Sequence, residues 1–168
     1  KNDIKYNKAY FQTFKNLWHH GDYAEITKNG GFVIYGRSDT TLNPGGVRLG
    51  TSEIYSVIDK FDEIKESIVI GQQWDNDIRI VLFVVLKTKK ELTENLKVKL
   101  KQKIKQDASP RHVPAKIISV LDIPRTKNGK IVELTVKNLI DGNQIDNKEA
   151  LANPEVLNQF KNLKELSY

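Results

Sequence analysis

"ESIVIGQQWDNDIRIVLFVVL", residues 66–86, sets two β-branched apolar runs on either side of Asp75-Asn76-Asp77. Runs rich in Ile and Val suit strands and the polar break suits a turn, so this stretch predicts a β-hairpin. On both sides of it the period changes. Upstream, "TSEIYSVIDKF" opens on hydroxyl capping candidates and places Ile54, Val57, Ile58 and Phe61 at i, i+3, i+4 and i+7, the stripe of a helix. Downstream, Leu92, Leu96, Leu100 and Ile104 recur every four residues through a lysine-rich segment, which predicts a helix with an apolar stripe and a lysine-coated outer face. "AKIISVL" then reads as a strand, and "KIVELTVKNLI" as a helix that Lys130 opens and Gly142 ends. A last helix is expected to start at Asn153-Pro154 and run through Leu157, Phe160, Leu163 and Leu166. Mixed strands and helices of this kind argue for an α+β fold, a small mixed sheet of about three strands covered by helices.

Residues 1 to about 36 have a different character. "KAYFQTFKNLWHHGDYAEITKNGGFVIYGR" carries aromatic anchors and then two alternating strands around "TKNGG", a hairpin signal. Pro and Gly in "SDTTLNPGG" interrupt regular structure before the helical stripe begins.

The chain has 168 residues, 39% of them hydrophobic, enough for one packed domain with an appendage. No apolar run approaches the roughly 20 residues that span a bilayer, and the start "KNDIKYNKAY" lacks the features of a signal peptide. A cytoplasmic protein with no membrane partner is expected. The absence of Cys excludes thiol catalysis and disulfides, and three His make a dedicated metal site improbable. With no Met and a first residue Lys1, the chain is expected to be a fragment. The net charge of +6 raises nucleic acid as a partner, yet much of the excess coats one helix face and no nucleic-acid motif accompanies it. A basic binding module remains an alternative, and no nucleic-acid partner is expected.

Chemistry concentrates in three places. In "WHHGD", Gly21 frees the backbone and Asp22 can accept two hydrogen bonds, as a sugar diol requires, although an aspartate in a turn is the commoner reading. In "GGFVIYGRSDTTLNPGGVRLGTSEI", Arg37 and Asp39 lie where the strand gives way to the linker, and Arg48 follows a Gly-Gly pair. Arginine suits ribose or phosphate oxygens through its planar, permanently charged fork, and a surface Arg-Asp pair is the plain alternative. In "IPRTKNGKIVEL", residues 123–134, a basic loop precedes Lys130, which at a helix N-terminus would join an ammonium to unpaired backbone N–H groups.

The order of these motifs closely resembles the carboxyl-terminal part of the acyl-adenylate-forming enzymes, which include acyl-CoA synthetases, peptide-synthetase adenylation domains and luciferases. The resemblance covers about residues 17 to 142. "ASPRHVPAKIISVLDIPRTKNGKIVELTVKNLIDG" followed by "NKEALANPEVLNQF" is most similar to the members that act on acetoacetate, with acetate or propionate as other short acids to weigh. The resemblance implies an ATP-dependent acid–CoA ligase that forms an acyl-AMP with Mg²⁺ assistance and transfers the acyl group to coenzyme A. It implies that Asp22 and Arg37 hold the AMP ribose, that Arg48 lies near phosphate, and that Asp39 is a hinge. Thr40 departs from the second acidic residue often found there. It further implies that Gly45 and Gly46 face the pantetheine tunnel and that Lys130 is the adenylation lysine. Asn128 stands where family members often have Ser and serves as a helix cap. Residues 1–38 would be the tail of a large amino-terminal domain, 39–142 a mobile domain and 143–168 a helical extension. The partner is then the missing amino-terminal domain, which holds the acyl pocket and any Mg²⁺ ligands. The fragment alone is expected to be inactive.

Overall fold

The computed structural model describes residues 3–145 and 148–167. The predicted hairpin forms as β3 (Ile64–Trp74) and β4 (Asp77–Leu86), antiparallel, with Trp74 opposite Asp77. Asp75 and Asn76 both take positive φ in the turn, a conformation that short polar side chains tolerate best. β5 (Lys116–Ser119) adds parallel to β4, so the sheet is mixed, in the order β3-β4-β5.

Alternation along β4 creates two cores. Ile80, Leu82 and Val84 face one side with Val69 and Ile117, where the stripes of α2 (Thr51–Ile58) and α3 (Glu94–Asp107) cover them through Ile54, Ile58, Leu96, Leu100 and Ile104. Val81, Phe83 and Val85 face the other side with Ile68, Ile70 and Ile118, under Val136 of α4 (Glu133–Ile140), Phe160 and Leu166. Both faces being dry explains why the strands read as continuous apolar runs. The α3 N-terminus is capped by the Thr93 hydroxyl, which accepts from the Leu96 N–H at 3.2 Å.

β1 (Asp22–Ile26) and β2 (Phe32–Arg37) form the second predicted hairpin, with Asp22 opposite Arg37. It docks on the start of α2. There the Ser52 hydroxyl donates to the Tyr35 carbonyl at 2.9 Å, and a Cβ on Gly50 would lie 2.5 Å from that same oxygen. Only glycine permits this approach. A helix that the sequence reading did not foresee, α1 (Asp3–Tyr10), precedes the hairpin; Tyr10 stacks on Trp18 with ring centroids 4.2 Å apart.

Two expectations are corrected. The last helix is not continuous: short 3₁₀ turns at Pro154–Phe160 and Lys164–Leu166 are separated by extended Lys161 and by Asn162 at φ 51°. The Asn153 side chain does not cap. It accepts from the Arg125 N–H at 2.9 Å and donates to Asp122 and the Ile123 carbonyl, while Gln159 bonds Leu121 and Asp122. These tertiary bonds replace a helical ladder and still bury Leu157, Phe160 and Leu166. Likewise Lys130 does not open α4, which starts at Glu133 with Val132 before it and no side-chain cap. Lys130 instead closes a turn in which its N–H donates to the Thr126 hydroxyl at 3.1 Å and its carbonyl accepts from the Thr126 N–H at 2.9 Å. Asn128 lies in that turn and caps nothing.

The two core layers meet at a polar pin. Tyr55 of α2 donates to the Glu133 carboxylate and accepts from the Val69 N–H at 3.0 Å. Burial raises the Glu133 carboxyl above its ordinary pKa of 4.5; hydrogen bonds from Tyr55, Thr40 and Thr51 oppose the rise and nearby Asp39 adds to it. Burial and then Glu133 push the Tyr55 phenol well above its ordinary value.

Phe160 meets Phe83 edge-on with centroids 5.0 Å apart and is 1% exposed. Phe160→Ala is therefore expected to cost about 3–5 kcal/mol in urea unfolding, whereas Val98→Ala on the open face of α3 should stay within about 0.5 kcal/mol of wild type. A carboxyl with a raised folded pKa binds more protons when folded. Its contribution to stability is full below the unfolded value and is lost as pH rises through the folded one. Glu133→Gln cannot ionise, so wild type should lose stability relative to the variant as pH climbs above the ordinary 4.5; parallel profiles through that range would contradict the raised carboxyl.

Candidate functional site

The β1–β2 register sets Asp22 beside Arg37 at the open end of the hairpin. One Arg37 nitrogen donates to the His20 carbonyl at 2.8 Å and lies 3.4 Å from Asp22 Oδ1, and Arg37 Nε is 3.5 Å from Asp39 Oδ1. His20 Nδ1 is 2.6 Å from the other Asp22 oxygen. Gly21 makes room for this packing: at φ 87°, a Cβ there would sit 2.6 Å from the guanidinium. Asp22, Arg37 and Asp39 thus form a carboxylate–guanidinium–carboxylate row, half open to solvent, with Asp22 Oδ1 only loosely engaged. A row of this kind offers a diol both an acceptor and donors.

Arg48 lies with its guanidinium carbon 5.7 Å from the centre of the Tyr23 ring, a cation–π contact that holds it against β1. Gly45 and Gly46 have φ 58° and 75°, with open space where a Cβ would point. The loop carrying them is closed by mutual Leu42–Leu49 backbone bonds of 3.0 and 2.8 Å. At the loop tip the Gly45 N–H donates to the Asp77 carboxylate, 2.9 and 3.0 Å from its two oxygens. The exposed glycine surface is thereby fastened to the β3–β4 turn.

Lys130 stands apart. Among the described residues its side chain has no hydrogen bond or ion pair, and none joins it to Asp22, Arg37, Asp39 or Arg48. Its turn is braced, however: Arg125 donates to the Gly129 carbonyl at 2.9 Å and pairs with Glu66 of β3 at 2.9 Å. The backbone N–H of Lys130 is already used by Thr126, so the residue presents an ammonium alone. The sequence reading missed Tyr55, Glu133, Asp77 and His20. A tyrosine next to the buried stripe of α2 was one available signal, since a shielded phenol requires a partner; Asp77 and Glu133 carry no sequence signal of their roles.

Among the described residues no group of three or more His, Asp or Glu is placed to hold a metal ion. Buried His112 uses both ring nitrogens on Ser109 and Glu53, at 2.8 and 3.0 Å. No helix among the described residues is long and apolar enough to cross a membrane.

This architecture has known counterparts. The acetoacetyl-coenzyme A synthetase of Rhizobium meliloti (strain 1021) is 59% identical over 162 residues, 96% of this chain and 25% of the relative. The acetoacetyl-CoA synthetase of Danio rerio is 45% identical over 168 residues, 99% of this chain and again 25% of the relative. The chain thus spans about a quarter of the length of the curated relatives it matches. Among solved structures, acetoacetyl-CoA synthetase from Streptomyces lividans matches with a TM-score of 0.87 and 37% identity over 95% of this chain and 24% of that one. A benzoate CoA ligase from Burkholderia xenovorans LB400 matches at 0.67 and 28%, over 81% and 27% of the two chains. Residues 53–130, which run from α2 to the Lys130 turn, match the model of the AMP-binding enzyme C-terminal domain.

Proposed function

We propose that this chain is the carboxyl-terminal portion of an AMP-forming acid–CoA ligase acting on acetoacetate in the cytoplasm. The observation that carries the reading is the Asp22–Arg37–Asp39 row, set at the junction between the hairpin and a family-matched body that presents Lys130. The choice of acid rests on identity to acetoacetyl-CoA synthetases along almost the whole chain. The partner is a large amino-terminal domain of the same polypeptide, to which residues 1–38 contribute the last hairpin. Ile26, Phe32 and Ile34 on that hairpin are 60–72% exposed, an apolar surface that such a domain would cover. Residues 39–142 form the mobile body and residues 143–168 its extension, whose Phe160 and Leu166 help to close the second core.

In the first half-reaction a carboxylate oxygen attacks the α-phosphorus of ATP and pyrophosphate leaves. Asp22 and Arg37 hold the ribose hydroxyls, and Arg48 lies near phosphate. The Lys130 ammonium stabilises negative charge shared between the carboxylate and the α-phosphate, with no proton transfer required. The described residues offer no ligand set for Mg²⁺, so no step here is assigned to it. In the second half-reaction the thiol of coenzyme A attacks the acyl carbon and AMP leaves. Rotation about Asp39 withdraws Lys130 and brings Gly45 and Gly46 to the nucleotide. Because the Lys130 turn is braced to β3, lysine delivery depends on movement of the whole body rather than on a floppy loop.

In the full-length enzyme Lys130→Ala is expected to slow adenylation by roughly 10²–10³-fold, about 3–4 kcal/mol, and to spare thioester formation from supplied acyl-AMP. Equal losses in the two half-reactions would contradict alternation. Gly46→Leu should retain pyrophosphate exchange and lose thioester formation, provided circular dichroism reports an intact fold. A substrate panel checks the acid: acetoacetate should give the highest kcat/KM, and a preference for acetate or propionate would reassign it.

A further inference from the structure

Residues 148–167 lie beyond the family-matched stretch, which ends at Lys130. Their apolar side chains cover the second core, but their polar groups are directed at residues 121–127, the run that leads into the Lys130 turn. The Leu121 N–H donates to the Gln159 side chain at 2.6 Å, and Gln159 donates to the Asp122 carbonyl at 2.9 Å. Asn153 donates to the Asp122 carboxylate and the Ile123 carbonyl, both at 3.0 Å, and accepts from the Arg125 N–H at 2.9 Å. The two backbones then pair around Thr126 and Leu151: the Ala152 N–H donates to the Arg125 carbonyl at 2.8 Å and the Lys127 N–H to the Ala150 carbonyl at 3.1 Å.

The turn itself is closed from Thr126 to Lys130, with the Gly129 N–H donating to the Thr126 carbonyl at 2.8 Å in addition to the Thr126–Lys130 bonds. It therefore moves as a unit, and the direction in which it points is set where it joins the body. Arg125 is the joint on the entry side, and Ile131, paired with Arg125, is the joint on the exit side. The Arg125 side chain reaches Glu66 and the Gly129 carbonyl, each at 2.9 Å, through several rotatable bonds. Asn153 and Ala152 act on the backbone of the same residue and take both its N–H and its carbonyl, which fixes the two peptide planes that flank it. The Asn153 amide matches what residues 122–125 offer, two acceptors and one donor, so its orientation is decided by its partners.

We propose that Asn153 is a positioning residue for Lys130: it orients Arg125, and with it the turn that presents the ammonium, which makes the carboxyl-terminal extension part of the adenylation machinery. The proposal rests on the role given to Lys130 above. Because that lysine serves the first half-reaction and is withdrawn for the second, a misaimed turn should slow one step and spare the other.

The test uses the full-length enzyme with Asn153→Ala and, as a matched comparison, Gln159→Ala, which removes two bonds from the same extension at residues 121 and 122, farther from the turn. Hydrogen–deuterium exchange is followed in β4 and at Lys127, whose own acceptor, the Ala150 carbonyl, neither substitution removes. Asn153→Ala is expected to speed exchange at Lys127 by about tenfold or more with β4 unchanged. It should also slow acyl-AMP formation by about ten- to a hundredfold, with thioester formation from supplied acyl-AMP kept within about threefold of wild type. Gln159→Ala should leave both half-reactions within about threefold of wild type. If Asn153→Ala does not fold, Asn153→Asp, which keeps an oxygen opposite the Arg125 N–H and turns the two donors into acceptors, is read in the same way. Unchanged exchange at Lys127 overturns the proposal. So does equal slowing of both half-reactions, or a loss of adenylation in Gln159→Ala as large as in Asn153→Ala, since either is the result of a merely structural role. Exchange does not depend on the reaction: faster exchange at Lys127 in an enzyme whose wild type forms no acyl-AMP supports the hold of Asn153 on the turn and removes the ligase reading instead.

Discussion

Burial of both faces of β4 is the constraint on which the rest of this structure depends. A strand paired on both edges has its backbone groups satisfied within the sheet, so its side chains alone decide what packs above and below. Ile80, Leu82 and Val84 call for α2 and α3 on one side, and Val81, Phe83 and Val85 call for α4 and the carboxyl-terminal turns on the other. A one-residue slip of β4 would exchange the two sets and leave neither layer with its partners.

The functional groups follow from that frame. Residues of the β3–β4 turn hold the glycine loop through Asp77, and Glu66 of β3 holds Arg125 and with it the Lys130 turn. The hairpin carrying Asp22 and Arg37 touches the body where α2 begins, through the close approach of Gly50 to Tyr35 and the bond from Ser52. Two pieces therefore meet across a short segment, and their charged and glycine groups are divided between them: Asp22 and Arg37 on the hairpin, the Lys130 ammonium and the Gly45–Gly46 surface on the body. Such a division suits a site whose composition changes with the orientation of one piece.

Polar groups at the junction are arranged so that little is left unpaired. Among the described residues no buried side-chain nitrogen or oxygen lacks a hydrogen-bond partner. Tyr55 and Glu133 satisfy each other within the shielded layer between α2 and α4, at the cost of a carboxyl shifted toward its neutral form. A buried pair of this sort contributes more to the placement of elements than to net stability.

What the sequence determined by itself was everything that depends on local periodicity. The hairpin of residues 66–86, the stripes of α2 and α3, the β1–β2 hairpin and the order of the motifs were all legible, because alternation and four-residue spacing reflect which side of an element is dry. The tail was not legible as it folds. Its apolar residues have helical spacing, yet Asn153 and Gln159 find backbone partners in residues 121–125, and those long-range bonds outweigh a helical ladder. The start of α4 was misplaced for a local reason: Thr126, four residues earlier, captures the backbone of Lys130 in a tight turn. The site was half visible. Asp22, Arg37, Asp39 and Lys130 could be named from their motifs, and His20 and Arg125 lie only two and four residues from the groups they bond, but Asp77 beneath Gly45 and Glu66 behind Arg125 come from distant segments. Only the tertiary structure could decide those, because each depends on a distance between chain segments that no local pattern encodes.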